Sequence, residues 1–394
     1  MRRYEINGRG VAAMGQETHA DERWYELPMT LRQACVKAGA WLKANGVEDG
    51  RSHAERLLLH VLEMDRAALL LAWNELLPSD KGEEWQALVC RRATGEPLQY
   101  VIGEEWFYSR PFAVTPAVLI PRPETELLVE GVLAAAERLW PAELAGALPE
   151  SAGSGGVQGL PESVGGGRAQ GLPESAGSGK AQELPKSAGS GRAQGLPESA
   201  GSPEADELPG PIGNSGARAA APTVVDVGTG SGAIAVTLAA QRHDWHVSAS
   251  DLSPDALEVA RANAARHGTA DRVTFVQGDL LAPFIASGSR IDVLVSNPPY
   301  IPAADMDGLQ REVRDYEPHL ALVGGTDGLD PYRRMLEQLA LLPAMPRIVA
   351  FELGIHQPRI VAELMRKMGA WDEVSIITDY NGIERHIVAV NTGG

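Results

Sequence analysis

The chain has 394 residues, enough for two domains of ordinary size, and 44% of them are hydrophobic, which excludes a wholly disordered protein. Its net charge of −17 argues against a protein that coats the phosphate backbone of nucleic acids. Two cysteines, Cys35 and Cys90, are too few for a disulfide framework or a cysteine-based metal cluster, and no apolar run is long enough to predict a membrane-spanning helix.

The first predicted elements are three helices near the amino terminus. Thr30 can cap a helix that ends at Asn45-Gly46, and Ser52 can cap a second helix whose apolar residues share one face. A third helix is predicted over residues 80–92. Three helices in succession predict a small all-α domain.

The predicted domain boundaries follow changes in this pattern. The first ten residues lack the apolar segment of a secretory signal, and residues 1–27 are interpreted as an extension before a helical domain over 28–105. A connecting hairpin and helix over 106–140 come next. This region contains an extended, proline-rich stretch over 112–120 and a helix over 124–139.

A twelve-residue repeat interrupts the chain after this helix. Variants of Leu-Pro-Glu-Ser-Ala-Gly-Ser-Gly-Arg-Ala-Gln-Gly occupy residues 148–207, where 29 of 60 residues are Gly, Ser or Pro. One leucine recurs reliably in each unit, which is fewer apolar residues than a stacked repeat needs. The segment is therefore predicted to be a disordered surface insertion, which a fold tolerates because closure entropy grows slowly with loop length.

After the insertion, short apolar strands alternate with helices over a predicted domain of 222–394. Ser253-Pro254 is typical of a helix start, and Asn381-Gly382 of a tight hairpin turn. The alternation predicts a mostly parallel sheet covered on both faces, with an antiparallel hairpin at one edge. The predicted strands are 223–227, 246–251, 272–278, 291–296, 347–352, 374–378 and 386–390.

A glycine-rich turn joins the first of these strands to a helix, which directs backbone amides and a helix N-terminus towards a ligand. Such sheets bind ligands at the carboxyl ends of their strands, where Asp251 ends the second strand and Asp279-Leu280 follow the third. Asp251 can bind ribose hydroxyls, Asp279 an adenine amine, and Leu280 the adenine ring. These features fit NAD or S-adenosylmethionine, and the loop consists of Gly228, Thr229, Gly230, Ser231 and Gly232.

The fourth strand ends in Asn297-Pro298-Pro299-Tyr300, which is expected to face the same pocket. A planar amide or amine nitrogen is a poor nucleophile because its lone pair is delocalised. The Asn297 side-chain oxygen and the Pro298 carbonyl can accept its two hydrogens and favour a pyramidal nitrogen with a free lone pair. The prolines stiffen the backbone, and Tyr300 offers a flat face to a planar substrate group.

At these residues, the carboxyl-terminal domain resembles the class I S-adenosylmethionine-dependent methyltransferases with an Asn-Pro-Pro-Tyr motif, which methylate planar nitrogens. The chain is more specifically similar to the bacterial peptide chain release factor glutamine methyltransferases. Three further segments carry this resemblance: residues 95–100 with Phe107, the Pro-Arg-Pro-Glu-Thr-Glu signature of 121–126, and residues 317–329. The insertion departs from the family, whose members have a short link at that place.

The resemblance implies an α/β, Rossmann-like class I methyltransferase domain after a small all-α domain that recognises the substrate. It implies an enzyme that uses S-adenosylmethionine to methylate the side-chain amide of the glutamine in the Gly-Gly-Gln motif of release factors. The implied partners are cytoplasmic release factors, and no metal, membrane or direct nucleic-acid requirement is expected. The implied catalytic residues are Asn297, Pro298 and Tyr300, with Pro299 added for substrate binding, and the cofactor set is Gly228, Thr229, Gly230, Ser231, Gly232, Asp251, Asp279, Leu280 and Asn297.

Alternatives from other classes remain open at the level of sequence. Methylation of adenine in nucleic acid uses the same Asn-Pro-Pro-Tyr motif, but it predicts a basic target-recognition domain and base flipping. The acidic composition and the small helical domain argue against it. A cofactor-binding scaffold without activity does not need the intact motif, and a nicotinamide dehydrogenase needs a base that does not stand out.

Two further positions have open interpretations. Arg122 lies between two prolines, so it is expected either to shape the pocket or to pair with Glu124 or Glu126. The Glu352-Leu353-Gly354 segment with Gln357 is either a turn at a strand end or a direct part of the catalytic site.

Overall fold

The computed structural model describes residues 24–141 and 221–393. The predicted insertion of 148–207 and most of the predicted extension of 1–27 lie outside these ranges. Within the described ranges, helices come first, and a hairpin and a sheet flanked by helices follow.

The amino-terminal region is helical, as the apolar pattern predicts. Thr30 caps the first helix in a capping box with Gln33, and the helix ends beside Asn45. Five helices contribute apolar side chains to one core, in which Leu57 and Trp85 are fully buried. These helices are α1 (Leu31–Ala44), α2 (Gly50–Leu62), α3 (Arg66–Leu71), α4 (Gly82–Ala93) and α5 (Leu98–Ile102), with a 3-10 turn at Ser79–Lys81.

The second helix starts two residues before its predicted cap. α2 begins at Gly50, and Asp49 occupies the N-cap position without a side-chain hydrogen bond to the helix. Gly50 lies so close to Gly39 of α1 that a β-carbon would collide with the α1 backbone. Packing against α1 therefore sets the start of α2 in place of a local capping bond, and the prediction for Ser52 was wrong.

A β-hairpin, followed by α6 (Pro123–Leu139), occupies the region where the sequence predicts a connecting hairpin and helix. Its strands, β1 (Glu104–Phe107) and β2 (Arg110–Ala113), are antiparallel. The two turn residues, 108–109, have φ of 50° and 59°, in the left-handed region where glycine or asparagine is usual. Of the extended stretch predicted over 112–120, the first two residues belong to a strand.

A seven-stranded sheet forms the carboxyl-terminal region. Its strands are β3 (Thr223–Val227), β4 (His246–Asp251), β5 (Val273–Gln277), β6 (Val293–Ser296), β7 (Ile348–Glu352), β8 (Glu373–Thr378) and β9 (Glu384–Val390). Their order is β5-β4-β3-β6-β7-β9-β8. The first five are parallel, whereas β9 is antiparallel to both β7 and β8. The predicted parallel sheet with an edge hairpin is confirmed.

Helices cover both faces of this sheet. Those that follow β3 in the chain are α7 (Ala233–Gln241), α8 (Pro254–Arg266), α9 (Ala282–Ala286), α10 (Arg311–Tyr316), α11 (Asp330–Leu339) and α12 (Pro358–Met368), with 3-10 turns at Ala303–Gly308 and His319–Ala321, and all but α10 contribute to the cores beside the sheet. Ser253 caps α8 as predicted. α6, α7 and α8 share a core with Val224, whereas α9, α11 and α12 share one with Val225, because successive strand residues point to opposite faces.

The strand order creates a crevice at the carboxyl end of the sheet. From β3 the chain proceeds outwards through β4 to β5, and it then returns to place β6 on the other side of β3. Ligands of doubly wound sheets bind at such a reversal of strand order. The segments that follow β3, β4 and β6 therefore meet where a ligand is expected.

Candidate active site

The loop after β3 is shaped by three glycines. Gly228, Gly230 and Gly232 have φ of 69°, 55° and 81°, in the left-handed region that other residues rarely adopt. The amides of Gly228 and Thr229 donate to the Ser250 carbonyl at 2.8 and 2.9 Å, which ties the loop to β4. A β-carbon at Gly228 or Gly230 would have no atom within 4 Å, so the loop borders open space.

Asp251 holds this loop from the end of β4. Its Oδ2 accepts a hydrogen bond from the Gly230 amide and its Oδ1 accepts one from the Ser253 amide, each at 2.9 Å. Burial raises the pKa of Asp251, while the amide donors lower it. The residue lines the same cavity as the loop, a position that fits the predicted contact with ribose hydroxyls.

A second carboxyl group, that of Asp226, lies beneath the loop and was missed by sequence reasoning. Asp226 is fully buried in β3, and its Oδ2 accepts from the Thr229 hydroxyl at 2.6 Å and from the Ala235 amide at 3.2 Å. Burial raises the pKa of Asp226 to about 7. Asp226 therefore connects the glycine loop to the first turn of α7. Its signal in the sequence is a carboxyl group within an otherwise apolar strand.

Asp279 and Leu280 follow β5 and lie in the wall of the cavity. The Asp279 carboxylate forms an ion pair with Arg334 of α11, and both side chains are about half exposed. Leu280 adopts a φ of 52° and packs partly against the sheet core. The ion pair was not expected from the sequence, and contact of Asp279 and Leu280 with adenine stays a prediction.

One cavity of about 340 Å³ brings most of the predicted cofactor residues together. Pro121 and Thr125, from the predicted signature, also contribute to its wall. Gly232, Pro298 and Tyr300 lie outside the wall. The predicted site residues in the wall are Gly228, Thr229, Gly230, Ser231, Asp251, Asp279, Leu280, Asn297 and Pro299.

Asn297 follows β6 directly, and its side chain has one free hydrogen-bonding group. Its Nδ2 donates to the Thr125 hydroxyl oxygen at 3.3 Å. Its Oδ1 is buried and has no hydrogen-bond partner within the described ranges. Buried acceptors usually have partners, because otherwise they lose their hydration without compensation. Asn297 therefore offers an acceptor at the place where the sequence predicts an amide substrate.

The other end of the motif is supported by Gln357, which precedes α12. Its Nε2 donates to the Tyr300 carbonyl at 2.9 Å, and its Oε1 accepts from the Gly354 amide at 2.8 Å. Burial raises the pKa of Tyr300 to about 12, so the phenol stays protonated at neutral pH. Gln357 thus fixes the backbone of the motif, a role that the sequence left open.

Arg122 pairs with a partner that the sequence did not suggest. Its guanidinium forms an ion pair with Glu317, whose side chain is 2% exposed. Pairing with Glu124 or Glu126 was therefore a wrong expectation, and Glu126 accepts a hydrogen bond from the Tyr108 amide at 2.7 Å. The ion pair of Arg122 connects the signature before α6 to the segment that follows α10.

Within residues 24–141 and 221–393, no three side chains of His, Cys, Asp or Glu are grouped so that they could hold a metal ion. No helix there has the length and apolar character required to cross a membrane.

Comparison with known proteins gives matches along most of the chain. Residues 33–103 match the family described as PrmC N-terminal domain, and residues 216–315 match the Methyltransferase small domain family. The release factor glutamine methyltransferase of Moorella thermoacetica is 38% identical over 92% of this chain and 98% of its own length. The proteins of the same name from Bacillus anthracis and Bacillus subtilis are 33% and 34% identical, over 92% of this chain and 99% and 98% of their lengths. Among solved structures, TrmN from Thermus thermophilus is similar over 43% of this chain and 44% of its own, with 23% identity and a TM-score of 0.30.

Proposed function

Because this chain belongs to the release factor glutamine methyltransferase family, we propose that it methylates the side-chain amide nitrogen of the glutamine in the Gly-Gly-Gln motif of peptide chain release factors. The methyl donor is S-adenosylmethionine, as in a protein-glutamine N5-methyltransferase.

The observation that carries the proposal is the free Oδ1 of Asn297. It is a buried acceptor at the edge of a cavity, and a primary amide has two N–H donors to offer. When Asn297 Oδ1 and the Pro298 carbonyl accept these two hydrogens, the amide nitrogen is held with its lone pair available. The arrangement selects for an NH₂ group on a planar centre, which a glutamine side chain carries.

The cavity fits the parts of S-adenosylmethionine in this assignment. The glycine loop leaves open space beside Gly228 and Gly230 for the methionine part, Asp251 offers acceptors to the ribose hydroxyls, and apolar side chains such as Leu280 offer a surface to adenine. The cofactor supplies an electrophilic methyl group on a sulfonium that leaves as a neutral thioether. The protein therefore has to align a weak nucleophile more than it has to supply a strong base.

Each residue of the Asn-Pro-Pro-Tyr motif has a different role in aligning the amide nitrogen. Asn297 and Pro298 orient the nitrogen, Pro299 keeps the backbone rigid, and Tyr300 provides a flat face for the amide plane. The Tyr300 phenol stays neutral, since burial raises its pKa to about 12. A methylated, protonated amide is a strong acid, so its proton can pass to water without a dedicated base.

We assign recognition of the protein substrate to the helical domain, 28–105. Three leucines beside or within α3 support this assignment, because Leu70, Leu71 and Leu76 are 60%, 90% and 61% exposed. The three leucines fall within residues 70–76, and an exposed apolar patch is typical of a surface that binds another protein. The proposed reaction takes place in the cytoplasm, where release factors act, and it requires neither a metal nor a nucleic acid.

A methyl-transfer assay with labelled S-adenosylmethionine tests this function. Intact release factor should take up label on the Gly-Gly-Gln glutamine, as peptide mass spectrometry can establish, whereas a release factor with alanine at that position should take up none. An adenine-containing DNA duplex is the second substrate in the assay. Label in DNA with none in the release factor would overturn the proposal.

The variant Asn297→Ala links the activity to this site. Its turnover should fall by about 10²–10³, the usual effect of losing a positioned polar contact to the transition state. Calorimetry should find cofactor binding largely preserved. Asn381→Ala is the matched control, since Asn381 is exposed in the β8–β9 turn and should keep full turnover. Full turnover in Asn297→Ala would rule out the assigned role of Asn297.

A further inference from the structure

Two buried side chains, Thr125 and Glu352, are connected to Asn297 by consecutive hydrogen bonds. The Thr125 hydroxyl, at the start of α6, receives the Asn297 amide hydrogen at 3.3 Å and donates its own hydrogen to Glu352 Oε2 at 2.6 Å. Thr125 and Glu352 are 5% and 3% exposed. Water therefore has little access to either group, and each hydrogen bond must be made within the protein.

The direction of these hydrogen bonds is fixed by the carboxylate. An ionised carboxylate only accepts hydrogen bonds, and the 2.6 Å distance is typical of a hydroxyl that donates to one. The single hydrogen of the Thr125 hydroxyl is thus committed to Glu352. Towards Asn297 the hydroxyl can only accept, so it attracts the Nδ2 group and repels Oδ1.

We propose that Thr125 and Glu352 are positioning residues that hold the Asn297 amide in one of its two orientations, with Oδ1 directed to the substrate nitrogen. In the reversed orientation, Nδ2 would occupy the place of Oδ1 and present donors to the N–H groups of the glutamine. That arrangement cannot bind the substrate amide as proposed. This inference rests on the proposed function.

The surrounding structure keeps Glu352 in place for this role. Glu352 ends β7, which lies next to β6, so Glu352 and Asn297 emerge from adjacent strand ends. Its backbone carbonyl accepts from the buried Tyr332 hydroxyl at 2.6 Å. On the neighbouring strand β9, the fully buried His386 is paired in register with Glu352 and has its Nε2 3.7 Å from Glu352 Oε2.

Variants at Thr125 separate the hydrogen bond from packing. Thr125→Val keeps the shape of the side chain but removes both hydrogen bonds, so kcat should fall by about 10- to 100-fold, the scale for a misaligned reacting group. Thr125→Ser retains the hydroxyl and should keep kcat close to that of the wild type. The KM for release factor and the dissociation constant for S-adenosylmethionine should change little in both. Thr237→Val is the matched control, because Thr237 is a fully buried threonine of α7 whose hydroxyl has no partner in the described structure.

Glu352→Met tests the direction of the hydrogen bonds with a side chain of similar length. Methionine offers no strong acceptor to the Thr125 hydroxyl, so the hydroxyl hydrogen is free to point at Asn297, which permits the reversed amide. Its kcat should fall as in Thr125→Val. If Thr125→Val does not fold, which thermal unfolding would show, Glu352→Met still tests the inference.

The double variant Thr125→Val with Asn297→Ala completes the test. If Thr125 acts through Asn297, adding Thr125→Val to Asn297→Ala should cause no further loss of kcat. Equal losses in both backgrounds, or full kcat in a folded Thr125→Val or Glu352→Met, would overturn the inference. If the wild type itself does not methylate release factor, the proposed function fails instead, so the two failures are distinguishable.

Discussion

At the scale of single residues, burial gives two aspartates of neighbouring strands different properties. Asp251 borders the cavity and accepts two backbone amides, whereas Asp226 is enclosed beneath the glycine loop, and its Oδ1 has no hydrogen-bond partner among the described residues. The charge of Asp251 adds to the effect of burial and raises the pKa of Asp226 further. A proton on Asp226 Oδ1 relieves the cost of a buried charge there.

Asp226 should make the stability of the protein depend on pH near neutrality. Its pKa of about 7 in the native state exceeds the ordinary value of 3.8, so the native state holds more protons than the unfolded state between these limits. The free energy of unfolding should therefore decrease as pH rises from about 4 to about 7, with a slope from this group of at most about 1.4 kcal/mol per pH unit.

The variant Asp226→Asn isolates this contribution. The Asn oxygen can still accept from Thr229 and Ala235, but the side chain no longer titrates. Urea unfolding at several pH values from 5 to 8 should give a flatter pH dependence than in the wild type. Parallel curves for the two proteins would contradict the assigned pKa.

Asp251→Ala should weaken binding of S-adenosylmethionine by about 2 kcal/mol, the scale of hydrogen bonds to a charged group. The variant loses the proposed ribose contact and also the bond that holds the Gly230 amide. Calorimetric titration measures the effect, with the exposed Asp255→Ala as the control. Tight binding of NAD to the wild-type protein without binding of S-adenosylmethionine would favour the dehydrogenase alternative.

Some residues of the site were predictable from local sequence and others were not. Asn297 and Asp251 follow predicted strands within recognisable motifs, so one stretch of sequence locates each. The contact between Thr125 and Asn297 joins residues 172 positions apart, and Thr125 and Glu352 are 227 apart. Such contacts depend on the packing of α6 against the sheet, which no local pattern specifies.

At the scale of elements, parallel strands were predictable from local sequence, whereas the bounds of the short β1–β2 hairpin were not. Three of the parallel strands, β3, β6 and β7, were predicted because they are largely apolar runs that are buried on both faces. A hairpin was predicted in the connecting region, but the bounds of β1 and β2 were not, because these strands have four residues each and the turn uses Tyr108 and Ser109. Short elements of this kind are stabilised by contacts with distant residues, such as the bond from the Ala113 amide to Asn263.

Arg92 should be important for the stability of the helical region and its contact with α10. Its side chain is 1% exposed and pairs with Glu312, and it also donates to His53 Nδ1 at 3.1 Å and to the Glu96 carbonyl at 3.0 Å. Arg92→Met leaves these acceptors without a donor and should lower the free energy of unfolding by about 2–3 kcal/mol.

Urea unfolding with a surface control tests the role of Arg92. Arg359, which is 79% exposed and pairs with Glu384, provides the comparison. Arg359→Met should change the free energy of unfolding by less than about 1 kcal/mol, because exposed ion pairs contribute little. Equal effects of the two variants would mean that the buried network does not hold α4 to α10.

At the scale of the whole molecule, the contacts of α6 determine whether the long insertion matters. Leu128, Val129 and Val132 of α6 are fully buried in the same core as Val224 of β3 and Val388 of β9. The helix therefore has its own apolar contacts with the sheet. Thr125, at its amino-terminal end, contacts the motif directly. The position of α6 relative to the active site is thus secured by residues outside 148–207.

Replacing residues 148–207 with a short Gly/Ser linker should therefore leave folding and methyl transfer nearly unchanged. The composition of the segment, with 29 of 60 residues Gly, Ser or Pro, predicts that it buries little apolar surface. Closure entropy changes only logarithmically with loop length, so a shorter link should cost little. Melting temperature and turnover on intact release factor, measured for both proteins, test this expectation. A large loss of melting temperature would mean that the repeats pack as structure, whereas normal stability with reduced turnover on intact release factor would mean that they help to bind the protein substrate.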